Sequence, residues 1–319
     1  MQLKIGTRGS KLALYQANLV KKKLKDIYKD IDISVEVIKT SGDKILTASL
    51  SSYGGKGLFV KEIEDAILKR RVDIAVHSLK DIPQTIAGVF KIGCVLKRDD
   101  PRDCVILKNK ASLDTGSNTE HLKTPDVISA LKNHAVIGTS SLRRQCLLKR
   151  LREDLVFEPL RGNINTRIGK LRKGYFDAVV LSASGLIRLG MKPDIDAYLE
   201  PSYFIPQCGQ GAIAVEYLSE NDNIDKILKP LNDEDTYCST FAERTFIKTL
   251  NCGCASPVGA FSSIDNETIN IKGFVANIDG EYLEDEIKSD KRRFEELGRN
   301  LAVILINKGA LEILSKNTI

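Results

Sequence analysis

Two short patterns occur in both halves of the chain, in the same order, and this repetition constrains the possible folds more than any other feature. Residues 5–7 and 137–139 both read IGT, and each triplet closes an apolar run and precedes a helical pattern. Residues 72–78 (VDIAVHS) and 176–182 (FDAVVLS) form the second matching pair. Apolar runs that alternate with helices are typical of parallel α/β sheets. Unless these short matches arise by chance, they predict two similar α/β domains.

The chain of 319 residues is long enough for a third domain, and its pattern changes near residue 234. A helical pattern there is followed by three strand-like runs and a closing helix, which indicates a small α+β unit. We expect domain one to comprise residues 1–98 with 212–229, domain two residues 100–205, and domain three residues 234–319. The polar segment 108–134 is expected to lie at the surface.

The composition argues against several classes of protein. No apolar run approaches the roughly 18 residues that a membrane span needs, so no membrane contact is expected. Seven scattered cysteines argue against a disulfide framework, and a strand-like run directly after the first residue favours the cytoplasm. Three histidines and no Cys-x-x-Cys pair make a metal site unexpected. The net charge of +6 fits an acidic ligand, whereas a nucleic-acid binder is a weaker alternative because no such motif is present.

Residues 138–144 (GTSSLRR) form the most informative turn of the chain. An apolar strand leads into this turn and a helix follows it, and either of its serines can cap that helix. Arg143 and Arg144 occupy the first helical turn, where their charge opposes the helix dipole, so they suggest a role other than helix stability. A solvated basic face is the alternative. A second arginine-bearing turn at residues 161–163 favours a carboxylate or phosphate site.

Two further residues can carry chemistry. Asp81 follows a buried strand beside Lys80, and it could stabilise a cation or move a proton, although an aspartate there is often only a turn residue. Cys254 lies in a glycine-containing loop, so its sulfur could be a nucleophile or a covalent attachment point rather than a buried apolar group. Ligands of open α/β sheets collect at the carboxyl ends of strands, which predicts a cleft between the two domains. Its predicted lining is Arg8, Ser10, Lys80, Asp81, Arg143 and Arg144.

Six motifs together resemble the porphobilinogen deaminase (hydroxymethylbilane synthase) family, in that family's order and over nearly the whole chain. They lie at residues 7–14 (TRGSKLAL), 55–59 (GKGLF), 77–83 (HSLKDIP), 138–145 (GTSSLRRQ), 161–167 (RGNINTR) and 253–258 (GCASPV). The resemblance implies an α/β fold with two similar periplasmic-binding-protein-like (type two) domains. It also implies a third small α+β domain that carries a cysteine.

The same resemblance implies a transferase of tetrapyrrole and haem biosynthesis. Such an enzyme joins four porphobilinogen molecules head to tail, releases ammonia at each step and then releases hydroxymethylbilane by hydrolysis. The product would pass to uroporphyrinogen-III synthase. The family carries one covalent dipyrromethane cofactor per chain, bound through a thioether to the cysteine that the motif places at Cys254. A cytoplasmic monomer is the family expectation.

Residue roles are implied position by position. Asp81 matches the aspartate that assists deamination and stabilises positive charge on the pyrrole nitrogens. Lys56 and Phe59 match a mobile segment over the cleft. The positions that match binding sites for cofactor and substrate carboxylates are Arg8, Ser10, Lys80, Thr139, Ser141, Arg143, Arg144, Arg161, Arg167 and Arg188.

Two features depart from the family pattern. The family usually has Gly-Gly-Cys where residues 252–254 read CGC, and although the spacing to Pro257 selects Cys254, Cys252 stays a candidate. The segment 108–134 is also longer than the family leads us to expect. The main alternative function is a non-catalytic anion-binding protein of the same fold, which would leave Asp81 and Cys254 without roles.

Overall fold

The computed structural model describes residues 2–40, 60–109, 124–253 and 256–316. Strands of the described residues are β1 (Gln2–Thr7), β2 (Asp32–Val37), β3 (Ile74–Ser78), β4 (Phe90–Val95), β5 (Asp103–Leu107), β6 (Val136–Gly138), β7 (Val156–Glu158), β8 (Ala178–Ser182), β9 (Ala197–Leu199), β10 (Ile213–Leu218), β11 (Val258–Asp265), β12 (Thr268–Ala276) and β13 (Tyr282–Asp290). Their α-helices are α1 (Lys11–Ile27), α2 (Lys61–Leu68), α3 (Thr124–Ser129), α4 (Leu142–Leu151), α5 (Ile164–Arg172), α6 (Ala183–Arg188), α7 (Asp222–Leu228), α8 (Glu234–Thr249), α9 (Phe294–Asn307) and α10 (Ala310–Ser315).

Two five-stranded sheets share one strand order. The first is β2-β1-β3-β10-β4 and the second is β7-β6-β8-β5-β9. In each sheet the first three strands are parallel and the fourth runs antiparallel to both of its neighbours. The repeated IGT triplets occupy equivalent central strands, β1 and β6. The prediction of two similar α/β domains is therefore confirmed.

Helices cover both faces of the first sheet, as the alternating directions of the β3 side chains show. Ile74 and Val76 point into a core with α1, whereas Ala75 points into a core with α2. The second sheet has the same construction, since Val180 faces a core with α4 while Val179 faces a core with α5 and α6. Sheets buried on both faces leave their strand ends as the places where polar side chains can collect.

The chain crosses between the two sheets twice. It leaves the first sheet after β4 and enters the second as β5, and it returns from β9 to the first sheet as β10. Each crossing thus supplies the antiparallel strand of the sheet that it enters. Residues 96–102 and 200–212 form these two connections, and side chains on them can contact both halves of the molecule.

The third unit is an antiparallel sheet, β11-β12-β13, packed against α8 and α9. Its α+β class is confirmed. The helix α8 begins at Glu234, because the Asp233 side chain caps it by accepting a hydrogen bond from Thr236 N. Glu243 of α8 accepts from Arg98 Nη1 at 2.7 Å, which attaches this unit to the first crossing.

Part of the segment expected at the surface is in fact buried. Residues 110–123 lie outside the described residues, but α3 follows them, and Val127 and Ile128 belong to the core of the second sheet. The helix still lies at the surface, as expected, because Asp126 and Ser129 on it are exposed while its apolar face packs into this core. No described helix combines the length and apolarity that crossing a membrane requires.

Candidate functional site

Two turns of the first sheet bring Arg8, Ser10 and Asp81 to one pocket. Ser10 caps α1, and its Oγ accepts from Ala13 N at 3.2 Å. After β3, residues Leu79–Asp81 form a 3-10 turn that the buried Leu79 anchors. Asp81 lies on the exposed side of this turn. The first sheet therefore presents a carboxylate, a guanidinium and a hydroxyl at the carboxyl ends of its parallel strands.

The corresponding turn of the second sheet is built by Thr139 and Ser141. Ser141 caps α4 by accepting a hydrogen bond from Arg144 N, and Ser141 N donates to Thr139 Oγ1 at 3.2 Å. Thr139 is buried. The expectation that a serine of this turn caps the helix is confirmed for Ser141, while the Ser140 hydroxyl donates to Leu160 O instead.

The two arginines that follow this cap, Arg143 and Arg144, both bind one buried carboxylate, that of Asp103 on β5. Arg143 Nη2 donates to Asp103 Oδ2 at 2.6 Å. Arg144 donates to Asp103 Oδ1 from Nη2 at 2.8 Å and from Nε at 3.1 Å. Asp103 is 0% exposed, Arg143 4% and Arg144 8%. Burial raises the pKa of the Asp103 carboxyl, but the two guanidiniums outweigh burial and hold that pKa below its usual range.

Lys80 connects this cluster to the first sheet. Its Nζ donates to Gln210 Oε1 at 3.0 Å, and Gln210 Nε2 donates to Asp103 Oδ1 at 3.2 Å. Burial lowers the pKa of Lys80 from its usual 10.5 to about 8, Asp81 opposes that shift, and Arg144 adds to it. Lys80 precedes Asp81 directly, so this hydrogen-bonded cluster extends to the residue next to the Asp81 pocket.

The second arginine-bearing turn starts α5. Asn163 caps this helix by accepting from Thr166 N at 2.9 Å, and Gly162 has a φ of +105°, which favours glycine. Arg167 Nε donates to Gly162 O at 2.8 Å. Burial lowers the pKa of Arg167 to about 10, Arg144 adds to the shift, and Asp81 opposes it. Arg167 is thus close enough to sense charges from both halves, and the half-buried Arg161 begins the same turn.

Arg188 lies apart from this cluster, at the crossings. Its Nε donates to Asp99 Oδ2 at 2.8 Å, and its Nη2 donates to Gly211 O at 2.6 Å. Both partners belong to the connections between the sheets, and Arg188 is buried. Its role as a carboxylate-binding residue stays a prediction.

Three predicted site residues, Lys56, Phe59 and Cys254, lie outside the described residues. The loop that leads to Cys254 follows α8. Cys252 in that loop is half-buried, and a Cβ built on Gly253 would meet no other described atom within 4 Å.

Sequence reasoning missed Asp103 and Gln210, which tie the cluster together. Asp103 is an aspartate that opens a buried apolar strand, and such a position signals a buried partner. Glu216 was also missed, although it too is an acidic residue in a buried apolar strand. Its carboxylate on β10 is fully buried and lies 3.3 Å from His77 Nε2. Across the described ranges no three His, Cys, Asp or Glu side chains are grouped so that they could hold a metal ion.

Comparisons with known proteins agree along the length of the chain. Residues 3–226 match the family model "Porphobilinogen deaminase, dipyromethane cofactor binding domain", and residues 237–307 match that of the porphobilinogen deaminase C-terminal domain. A porphobilinogen deaminase of Syntrophobacter fumaroxidans is 40% identical over 98% of this chain and 97% of its own length. One of Alkaliphilus metalliredigens is 40% identical over 98% of this chain and 94% of its own length.

Solved structures with a similar chain trace include a TRAP periplasmic solute binding protein from Desulfovibrio salexigens. It is 12% identical, covers 73% of this chain and 72% of its own, and has a TM-score of 0.41. The two family models and the two relatives are the findings that identify the family. The chain belongs to the porphobilinogen deaminase family.

Proposed function

We propose that Asp81 is the catalytic residue of this deaminase, that Cys254 carries its dipyrromethane cofactor, and that the basic cluster binds carboxylates. The observation that carries this proposal is the placement of Asp81. It lies exposed in a pocket shared with Arg8 and Ser10, one residue from Lys80, which reaches the arginine pair through Gln210. A reacting group in that pocket would meet the carboxylate of Asp81 and the guanidinium of Arg8.

The reaction of the family explains why such a site needs both signs of charge. It condenses four porphobilinogen molecules head to tail, with loss of ammonia at each step, and then releases hydroxymethylbilane. When bound, the dipyrromethane supplies the pyrrole carbon to which the first substrate is joined. Each pyrrole unit carries two carboxylates, so the growing chain gains negative charge with every step. Guanidinium and ammonium donors are the groups that match these carboxylates.

The residues present fit such a cofactor. The described site offers donors at three helix starts, those of α1, α4 and α5, whose caps are Ser10, Ser141 and Asn163. Helix N-termini favour anions through their backbone N–H groups and the helix dipole. Arg8, Thr139, Arg161 and Arg167 stand beside these helix starts. We assign them to the carboxylates of cofactor and substrate, together with Lys80, Arg143, Arg144 and Arg188.

Asp81 is assigned two tasks. As a carboxylate, it can accept hydrogen bonds from pyrrole N–H groups and stabilise positive charge that develops beside it. In its protonated form, having taken a proton from solvent, it can also give that proton to the departing amino group, because it is exposed at the pocket. Its neighbour Lys80 cannot take over the first task, because it has no acceptor atom when charged.

The finer biological setting is part of the same proposal. We infer a cytoplasmic monomer that passes its product to uroporphyrinogen-III synthase. We also propose domain boundaries at residues 1–98 with 212–229, 100–205 and 234–319. Support for these boundaries comes from the two crossings, since residues 96–102 and 200–212 leave one sheet and enter the other.

The attachment site is tested by the mass of the denatured protein. Protein made in a cell that produces porphobilinogen should be heavier than the bare 35.3 kDa chain by two pyrrole units, and it should colour with an aldehyde reagent for pyrroles. Cys254→Ala should abolish the added mass, and the matched control Cys252→Ala should retain it. An unmodified wild-type mass, or an adduct that follows Cys252, would contradict the assignment.

A further inference from the structure

Asp103 is the most deeply buried carboxylate at the site, and it serves both arginines of the pair at once. Its Oδ2 accepts from Arg143 and its Oδ1 accepts from Arg144 twice and from Gln210. These guanidiniums also donate to backbone carbonyls, Arg143 to Ile205 O and Arg144 to Val180 O. Each guanidinium plane is therefore fixed from two directions.

Gln210 extends this arrangement across the two halves. Its amide nitrogen donates to Asp103 in the second sheet and to Pro101 O of the first crossing. Its amide oxygen accepts from Lys80 Nζ of the first sheet. Gln210 is fully buried, so these contacts define which way its amide points. The side chain thus transmits the position of Asp103 to Lys80.

The charges in this cluster do not balance, which distinguishes it from a structural ion pair. Two carboxylates, Asp103 and Asp81 (−2), stand against Arg143, Arg144 and Lys80 (+3), which leaves +1 when all five are ionised. Glu243, by contrast, pairs with a single arginine. Because a buried cation is costly unless it is paired, the surplus favours further carboxylates from outside.

We propose that Asp103 and Gln210 act as positioning residues for the reaction. Together they fix the positions of Arg144 and Lys80, which belong to different sheets, so that both bind ligand carboxylates. This inference rests on the proposed binding role of the arginine pair. Asp103 meets no reacting atom. It acts through the guanidiniums that it orients, and the net positive charge of the cluster favours ligands that carry carboxylates.

The decisive variant is Asp103→Asn, which keeps the shape of the side chain and removes its charge. Asp196→Asn is the matched control, because Asp196 is also buried in the second sheet and its Oδ2 accepts from Leu107 N at 2.8 Å. Three quantities are measured for each: the fraction of chains that carry the cofactor, by intact mass; kcat and KM separately; and the pH dependence of kcat/KM.

Asp103→Asn should lower the cofactor fraction and raise KM by about tenfold or more, the effect expected from losing a charge-assisted hydrogen bond. The alkaline limb of kcat/KM should also move to lower pH. The groups that act on Lys80 are Asp81 and Asp103, which raise its pKa, and Arg143 and Arg144, which lower it. Removing the charge of Asp103 therefore lets Lys80 lose its proton earlier. Asp196→Asn should lower only the melting temperature.

Gln210→Met covers the case in which Asp103→Asn does not fold. It cuts the link to Lys80 and leaves the contacts between Asp103 and the arginines in place. Its alkaline limb should move to lower pH while its cofactor fraction stays at the wild-type level. If the alkaline limb of kcat/KM does not move in whichever of the two variants folds, Asp103 has only a structural role and the inference is overturned. If Arg144→Leu keeps the wild-type cofactor fraction and KM, the proposed function itself fails. If Arg144→Leu lowers the cofactor fraction and raises KM while Asp103→Asn behaves like its control Asp196→Asn, only this inference fails.

Discussion

The two sheets have the same strand order, yet they hold the charged side chains at their carboxyl edges in different ways. The first sheet ends β3 with Lys80 and the exposed Asp81. The second ends β8, its equivalent strand, with the small residues Ala183 and Ser184, and places its charge on the neighbouring helix as Arg143 and Arg144. One edge therefore presents an acid to solvent, and the other presents arginines held on a buried carboxylate.

This difference shows how a duplicated scaffold can divide two tasks. The backbone devices are alike, since Ser10 and Ser141 both cap the helix that follows the central strand. What differs is whether the charged group needs a fixed partner. Arginine holds a ligand best when its plane is fixed, and burial on Asp103 fixes it. An acid that must exchange protons with a departing group needs access instead, which the exposed turn at Asp81 provides.

Asp81→Asn should have the largest effect of any single change. Turnover should fall about 10²- to 10⁴-fold, because an amide cannot deliver a proton, while the adduct mass stays unchanged. The equivalent position of the second half is flanked by Ser184, whose Oγ lies 3.0 Å from Ser182 Oγ. Ser184→Ala is therefore the matched control and should turn over at nearly the wild-type rate. Comparable losses in both variants would break the division of tasks.

Arg144→Leu and Arg143→Leu should come next. Each leaves Asp103 with one guanidinium fewer, and breaking a buried pair typically costs about 3–5 kcal/mol of unfolding free energy. The cofactor fraction measured by intact mass should fall in both. Arg172→Leu is the control, because Arg172 pairs with Asp194 at the surface and its side chain is 67% exposed. An Arg144→Leu protein with full cofactor content and normal elongation would show that the second edge does not bind carboxylates.

The fold could be predicted largely from the sequence because its signals are local. The repeated triplets placed β1 and β6 in equivalent positions, and the caps at Ser141 and Asn163 lie within three residues of the groups that they bind. The site could be predicted only in part. Asp103 lies 40 residues from Arg143 and 107 from Gln210, and no local pattern encodes partners so distant in the chain.

The unfavourable position of the arginines was a correct signal with an incomplete interpretation. Their charge opposes the dipole of α4, as the sequence indicates. The structure adds that Asp103 compensates this charge from inside the sheet. The burial of one face of α3 was not predicted, because the signal in the sequence is weak there. Its few apolar residues gave too weak a periodic signal against a polar background, and only packing in the second core decides their place.

Lys80 gives a smaller and pH-dependent prediction. Its pKa of about 8 lies below the usual 10.5, so half of the ammonium form is already lost at about pH 8 and most of the rest is lost as the pH rises further. KM for porphobilinogen should therefore increase above pH 8. Lys80→Arg should remove this increase, because a guanidinium stays protonated throughout the range. A wild-type KM that stays constant from pH 7 to 9.5 would place Lys80 outside the binding site.

The smallest expected effect tests whether the two halves are energetically equal where they look alike. Ser10→Ala and Ser141→Ala each remove one capping acceptor, from Ala13 N and from Arg144 N respectively. Each should cost about 1 kcal/mol of unfolding free energy, whereas Ser→Gly at either position should cost only a few tenths. Denaturant titration of the four variants measures this. Because Asp103 anchors α4 independently through Arg144, the loss at Ser141 should not exceed that at Ser10. A larger loss at Ser141 would mean that the cap, rather than Asp103, holds the arginine pair in place.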